Sequence, residues 1–465
     1  MQTASVLNVH ARIHLVSALS GVMNHSKINT NPVARQLSRS THAQSHSART
    51  GFVVLGTLFC IAGLIYSVFG LGDAFRFPDE FEYHNLASNL AAMIGYSLDG
   101  MTPSAMRPPG YAFLMAPIHV LTDSIHVVRL LQFALLVWAA HLLASQLIRL
   151  DTLSRWGGSI ALLACVAAYP VLIYTAGTLF PQTCILFTLT LAVVLLQSKS
   201  NSLLLAAVIG LLSGLTALIS PTALTIVPVA LAFALLSQHW GLSRVFIMAA
   251  AIVLLLGGWI ARNQVVMGRP IVFSTNLTWN MDIASSVSEP NEAGSKDSEL
   301  PEKSYLTEPE SLRQSTIAHV GASEQSDLQP PAANLLDKGI ARLAQLFDDP
   351  SRYLRNLGTF FAYHNDMQTA SEDTSVRELV MFFTYYLLLS GVLARLILSS
   401  YRPLSRAEWL VLGLYLSTAF LHALVFTRIR YRLPFDFLLF LPALNAALLM
   451  YERYRLSMAS RRMVQ

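Results

Sequence analysis

The stretch from Gly51 to Leu71, GFVVLGTLFCIAGLIYSVFGL, holds no charged side chain across 21 residues. A helix of about 20 apolar residues is what it takes to cross the hydrocarbon core of a bilayer. A few residues later comes Pro78-Asp79-Glu80-Phe81-Glu82-Tyr83, with three carboxylates, and then Arg107-Pro108-Pro109-Gly110-Tyr111. The span predicts a membrane protein, and the ions beside it need a chemical reason.

Composition agrees with the span. Hydrophobic residues make up 54% of the 465 and charged ones only 13%, with a mean hydropathy of +0.49, which excludes a water-soluble globule. Further apolar stretches run Ile125 to Ile148, Gly158 to Gly177, Leu179 to Leu196, Leu203 to Ile219, Thr222 to Ser237, Arg244 to Ala261, Val376 to Ser399, Ala407 to Phe426 and Tyr431 to Tyr451. The fold class expected is therefore all-α, a polytopic transmembrane helix bundle of about ten spans. The short piece Tyr111 to Leu121, with Pro117 inside it and Asp123 after it, is read as interfacial and not as a span.

Basic residues orient the chain, since short cytoplasmic loops are enriched in them. The segment before Gly51 has Arg12, Lys27, Arg35, Arg39 and Arg49 but no acid, and the end has Arg453, Arg455, Arg461 and Arg462. Both termini are expected in the cytoplasm, which an even span number allows. The organisation expected is a flexible basic tail over 1–50, a membrane module over 51–261 with a first outer loop at 72–110, a long outer loop over 262–375, terminal spans over 376–451 and a basic tail over 452–465. The first fifty residues lack the short apolar core and cleavage site of a signal peptide.

The net charge of +5 comes from tails and loops. No basic groove with interleaved aromatics is present, so nucleic acid is not an expected partner. Cys60, Cys165 and Cys184 all fall inside predicted spans and read as small buried residues, not as disulfides or metal ligands. The five histidines of the first fifty residues are too irregularly spaced to favour a metal-binding tail over a solvated one.

In the first outer loop, Tyr83, Leu86, Ala87, Leu90, Ala91 and Ile94 share one helical face, with Glu82, Asn85, Ser88 and Asn89 opposite and Gly95 beyond. This spacing predicts an amphipathic helix along the membrane surface. Asp79 and Glu80 would stand in its first turn, where the helix dipole favours negative charge. Capping alone explains one acid, not two. In the long loop, Asp282 to Gln329 is acidic and polar. Asn334 could cap a helix ending at Pro350, and Tyr353 to Tyr363 could lie on the membrane or cover a site.

On this topology Asp79, Glu80, Arg107, Gln182, Arg262, Asn263, Arg269, Arg428, Arg430 and Arg432 all map to the outer side, where few arginines are expected. Each arginine by itself could snorkel to lipid headgroups. Five of them, Arg107, Arg262, Arg428, Arg430 and Arg432, beside two carboxylates favour an anion site, since guanidinium groups suit phosphate. Gln182 follows Pro181 and could satisfy a backbone group instead.

These ordered pieces resemble the membrane glycosyltransferases of the GT-C fold, within them glycosyltransferase family 39, the branch of aminoarabinose transferases and protein O-mannosyltransferases. The resemblance spans about Gly51 to Tyr451. It rests on Asp79-Glu80 with Tyr83, on Arg107 to Tyr111, and on Trp259-Ile260-Ala261-Arg262-Asn263 with Gly268 and Ser274-Thr275 downstream. Arg430-Tyr431-Arg432-Leu433-Pro434 completes it.

The resemblance implies Asp79 as general base with Glu80 beside it. It implies a polyprenyl-phosphate sugar donor whose phosphate is held by Arg107 and the later arginines. Tyr83, Tyr111, Gln182 and Asn263 are expected to line the substrate, with a lipid, glycan or protein as acceptor. No cofactor or metal is implied. The location implied is the inner (plasma) membrane with the site on the outer face. The chain departs from the pattern at Pro181-Gln182 and Ser220-Pro221, where relatives often carry an acid and an arginine. Two other readings remain open: a transporter or flippase of lipid-linked saccharides, and a non-catalytic partner with the same fold. The transporter should show charged or broken helices at mid-membrane, and the spans read as nearly free of both.

Overall fold

The computed structural model describes residues 32–148, 154–237, 240–276, 350–363, 375–424 and 429–464. Among these the chain forms helices and connecting turns, with Ser97 and Pro103 making an isolated β-bridge. In chain order the helices are α1 (Pro32–Ile65, running on as a π-helix Tyr66–Leu71), α2 (Pro78–Ala91), α3 (Pro109–His119), α4 (Ile125–Ala144), α5 (Arg155–Ala167), α6 (Pro170–Ala176) and α7 (Gln182–Leu196). They continue as α8 (Leu203–Ile219), α9 (Ile226–Leu236), α10 (Leu242–Met267), α11 (Pro350–Phe360), α12 (Ser375–Ile397), α13 (Arg406–Leu424) and α14 (Ile429–Val464).

The protein is an all-α membrane helix bundle. Among the described residues six helices are long and apolar enough to cross a bilayer, and the bent pair α5 and α6 makes up to seven. Three shorter apolar helices, α7, α8 and the Pro221–Leu236 stretch, match the remaining predicted segments. Lipid-facing surface is recognisable on α10, where Phe246, Val253 and Leu254 point away from the protein.

Two expectations need correction. Helix α1 begins at Pro32, inside the region expected to be a flexible tail. From Val33 to Thr50 the sequence has no glycine or proline, so nothing halts a helix propagating back from the membrane span. The spans are also less plain than expected. A bend of 84° separates α5 from α6, because Pro170 cannot continue the helix before it. Several spans also bury charges, Arg129, Arg395 and Glu408 among them. In the long loop, Pro350 opens α11, a position where its missing N–H is harmless. The acidic stretch Asp282 to Gln329 and the helix expected after Asn334 lie outside the described residues.

Helix α11 packs along α13. Asn356 donates to the Ala423 carbonyl at 3.0 Å, and the Tyr353 ring meets that of Phe420 edge-on. Near the first loop, α3 presses so closely on α8 that a Cβ on Gly110 would sit 2.6 Å from the Ile219 nitrogen. A glycine there lets Arg107-Pro108-Pro109 approach the bundle.

Candidate active site

Helix α2 starts at Pro78, whose fixed φ suits a first helical position. Asp79 and Glu80 occupy its first turn. Neighbouring residues on a helix point about 100° apart, and the two carboxylates meet different partners.

Asp79 accepts from two guanidinium groups. Its Oδ1 takes a bond from Arg107 Nη2 at 2.6 Å and its Oδ2 one from Arg430 Nη1 at 3.1 Å. Arg107 comes from the first loop and Arg430 from the opening turn of α14, so the contact joins segments 351 residues apart. The three side chains keep some access to the surroundings, with exposures of 21% for Asp79, 11% for Arg107 and 28% for Arg430. Glu82, three residues on from Asp79 and on the same face of α2, accepts from Arg107 Nε. Burial pulls the Arg107 guanidinium down, but Asp79 and Glu82 more than offset this and hold its pKa well above the usual value.

Arg430 is held more loosely. It reaches the Tyr431 hydroxyl at 3.3 Å and lies over the Phe180 ring, while its buried Nε has no hydrogen-bond partner among the described residues. Among the described residues the cluster sets two carboxylates against two guanidinium groups.

Glu80 belongs to the framework. It is fully buried, its Oε2 accepts from the Leu179 amide at 3.0 Å, and Arg129 of α4 lies 3.8 Å away. Arg129 in turn donates to the Gly72 carbonyl at 2.6 Å. Burial pushes the Glu80 carboxyl above its ordinary range, with the Leu179 amide and Arg129 opposing. This knot ties α2 to α4 and to the connection before α7, and fixes the angle at which Asp79 is presented.

The other expected residues divide in the same way. Tyr83 sits under Arg107, its ring edge-on to Tyr111 at 5.0 Å, and burial pushes its phenol pKa up, so it stays a neutral hydroxyl. Tyr111 donates to Gln132 Oε1 at 3.0 Å, and Gln132 donates to the carbonyls of Ala176 and Thr178. Gln182 is buried at the start of α7, and its Oε1 finds no donor among the described residues.

The expected group of five arginines does not converge. Arg262 stacks on Tyr96 and Trp259 and donates to the carbonyls of Ser104 and Tyr96 and to Asn263 Oδ1. Asn263 is buried and donates to the Ile271 carbonyl at 2.8 Å. Arg432 is buried too. It donates to Asp436 Oδ2 at 3.1 Å and to the carbonyls of Phe360 and Ala362, with the Tyr385 ring 3.8 Å from its Cζ. Its task is to fasten the end of α11 to α14. Residues two apart on a helix face nearly opposite ways, which is why Arg430 reaches Asp79 and Arg432 does not. Arg428 lies outside the described residues.

Sequence reasoning missed Glu82 as a member of the site, although its i+3 spacing from Asp79 was the signal. It also missed Arg129, a lone charge in an otherwise apolar span, which is rarely without purpose. His84 and His119 form a neighbouring pair at 3.1 Å. Ser67, His126 and Asp73 make another hydrogen-bonded chain, but Ser67 is wholly buried and anchors the π-helix. Among the described residues no three His, Cys, Asp or Glu side chains converge to hold a metal ion.

No protein-family model and no curated protein matches the chain. Solved structures do resemble it. ArnT from Cupriavidus metallidurans bound to undecaprenyl phosphate aligns with 12% identity over 81% of this chain and 78% of that one, at a TM-score of 0.39. The Archaeoglobus fulgidus oligosaccharyltransferase in its apo form aligns with 13% identity over 90% of this chain, at 0.49. The same organism's AglB, in complex with an inhibitory peptide and a dolichol-phosphate, aligns with 13% identity over 89%, at 0.46. The chain spans 52% of the length of each of these two archaeal proteins. All three scores lie below 0.5, so a functional reading has to rest on the geometry of the site itself.

Proposed function

We propose that this protein is a membrane glycosyltransferase of the GT-C kind, moving a sugar from a polyprenyl-phosphate donor to a hydroxyl on a lipid, glycan or protein acceptor. The observation that carries the reading is Asp79, partly accessible, on a helix first turn between Arg107 and Arg430.

The chemistry needs those two kinds of group at one place. An alcohol is a weak nucleophile until a base takes its proton during attack, and a departing phosphate is stabilised by positive charge placed beforehand. In the proposed step the acceptor oxygen bonds to the anomeric carbon, and its proton passes to the Asp79 carboxylate. The bond from that carbon to the phosphate oxygen breaks, and its electron pair leaves with the phosphate. One displacement inverts the anomeric configuration.

The pairing of Asp79 with both arginines gives this step its timing. While Asp79 is ionised it competes for the guanidinium groups. Once it takes the proton its hold on them weakens, at the moment the phosphate gains charge. Arg107 stays anchored by Glu82, whereas Arg430, more exposed and with an idle Nε, is the one free to turn to the phosphate. Glu80, Arg262 and Arg432 support the site from a distance.

The test is transfer of radiolabelled sugar from a panel of polyprenyl-phosphate donors by membranes holding equal amounts of wild type or Asp79→Asn. Label reaching an acceptor only with wild type supports the proposal. Equal transfer by both removes Asp79 as the base. A transporter of lipid-linked saccharides is the second reading, favoured by the 84° break between α5 and α6. It predicts protein-dependent movement of such lipids across vesicles with no transfer.

A further inference from the structure

A second polar feature lies where the first loop meets the end of α10. Residues 96–104 fold back on themselves through the Ser97–Pro103 bridge. Between this turn and α10 is a cavity of about 110 Å³ lined by Ile94, Tyr96, Ser97, Met101, Arg262 and Val266, among others. Since a water takes roughly 30 Å³ in the liquid, there is room for a phosphate group. Arg262 carries five N–H groups, and three are used by Ser104, Tyr96 and Asn263. The Nε–H and one Nη2–H are left among the described residues, adjacent donors of the kind that bind phosphate in pairs. The nearby Asp99 carboxylate is taken up within the turn by Ser97, Met101 and Thr102.

The surroundings are apolar and open. Ile94 is 55% exposed, Met101 86% and Val265 84%. Met93 adopts a left-handed φ of 60° and still packs on almost nothing. A non-glycine residue there is strained, and an apolar side chain held so at a membrane boundary suits contact with lipid. This rim continues the lipid-facing surface of α10.

We propose that the cavity binds the phosphate of a glycerophospholipid from the adjoining leaflet, with its acyl chains along Val265 and Val266. The site reaches the candidate active site through Tyr96, one of its lining residues. Its hydroxyl donates to the carbonyls of Arg107 at 2.9 Å and Pro108 at 3.1 Å. A bound lipid braces Tyr96 and hence the turn that carries Arg107. The lipid site stands whether or not the protein transfers sugars.

The experiment is native mass spectrometry of the full chain, delipidated and then titrated with phosphatidylglycerol, with glycerol phosphate and with a polyprenyl phosphate. Wild type should retain one phosphatidylglycerol. Arg262→Gln should bind it at least tenfold more weakly, and Arg430→Gln should bind it as wild type does. Because Arg262→Gln also removes bonds that hold the loop, a rim variant, Ile94→Ser with Val266→Ser, serves as the second test. It leaves those bonds in place and should also weaken retention at least tenfold. Unchanged retention in both variants would overturn the proposal. So would glycerol phosphate binding as tightly as the lipid, or polyprenyl phosphate displacing phosphatidylglycerol at equal concentration.

Discussion

Two ion-pair clusters, one buried and one partly accessible, are built from the same residue types and differ in how completely they are satisfied. Asn445 of one and Arg430 of the other both lie on α14, about 22 Å apart along its axis at 1.5 Å per residue. In the Asn445 cluster, Arg395 and Glu408 are wholly buried and doubly paired, at 2.7 and 3.0 Å. Arg395 also donates to the carbonyls of Arg402 and Pro403, and Glu408 accepts from the Ser405 amide and from Asn445. In the other cluster, Asp79, Arg107 and Arg430 remain partly accessible and Arg430 keeps an idle donor. A cluster in which every buried polar atom has a partner can only hold helices together. One whose side chains stay partly accessible and that leaves a donor unpartnered among the described residues can still exchange a partner for a substrate.

Removing the base should have the largest effect. Asp79→Asn is expected to lower transfer by about 10²- to 10⁴-fold, the usual worth of a general base, with little change in melting temperature, as read by the radiolabel assay and a thermal melt. At the satisfied end the pattern reverses. Arg395→Ala strands a buried Glu408 and should cost about 3–5 kcal/mol of stability, seen as a lower melting temperature and poor yield. If Asp79→Asn unfolds the protein as readily as Arg395→Ala does, the contrast between the two clusters fails.

Arg430→Lys sharpens the comparison further. Lysine keeps the charge but offers one ammonium in place of a planar fork, so it cannot hold Asp79 and a phosphate with adjacent donors. A fall in kcat/KM of about tenfold, or roughly 1.4 kcal/mol, is expected, with stability unchanged. Arg432→Lys, two residues on, should instead lower stability, since Arg432 ties Phe360 and Ala362 to α14.

The membrane bundle was legible in the sequence because a span is a local property, a run of apolar residues long enough to cross. Helix α2 was legible for the same reason, through the spacing of Tyr83, Leu86, Ala87 and Leu90. The fate of the polar residues was not, because it depends on which distant helix each one meets. Asp79 and Glu80 are neighbours in sequence, yet one faces Arg430 and the other the Leu179 amide. The bend at Tyr169-Pro170 was available in the proline itself. The start of α1 at Pro32 was hidden by a polar sequence with no apolar period to announce a helix.

Acid offers the smallest and most local test, through His84 and His119, which bond to each other between α2 and α3. Burial lowers His84 to about 4, with His119 adding to the effect and Asp123 opposing it, and burial also lowers His119. The folded protein therefore favours the neutral ring, while the unfolded chain takes up a proton near pH 6.5. Stability from this contact is complete above pH 6.5, declines as the pH falls from 6.5 toward 4, and is lost below that. The shift sets an upper bound of about 3 kcal/mol. Hydrogen exchange at pH 7 and pH 4.5, corrected for intrinsic rates, should show α2 losing protection while α13 around Glu408 keeps its own. His84→Phe, which keeps a ring against Phe75 but cannot take a proton, should shrink the difference to what His119 contributes. Equal protection of α2 at both pH values in wild type would mean that the histidine pair does not hold α2 to α3, and that the candidate active site draws its rigidity from its other ties, Glu80 with Arg129 and Glu82 with Arg107.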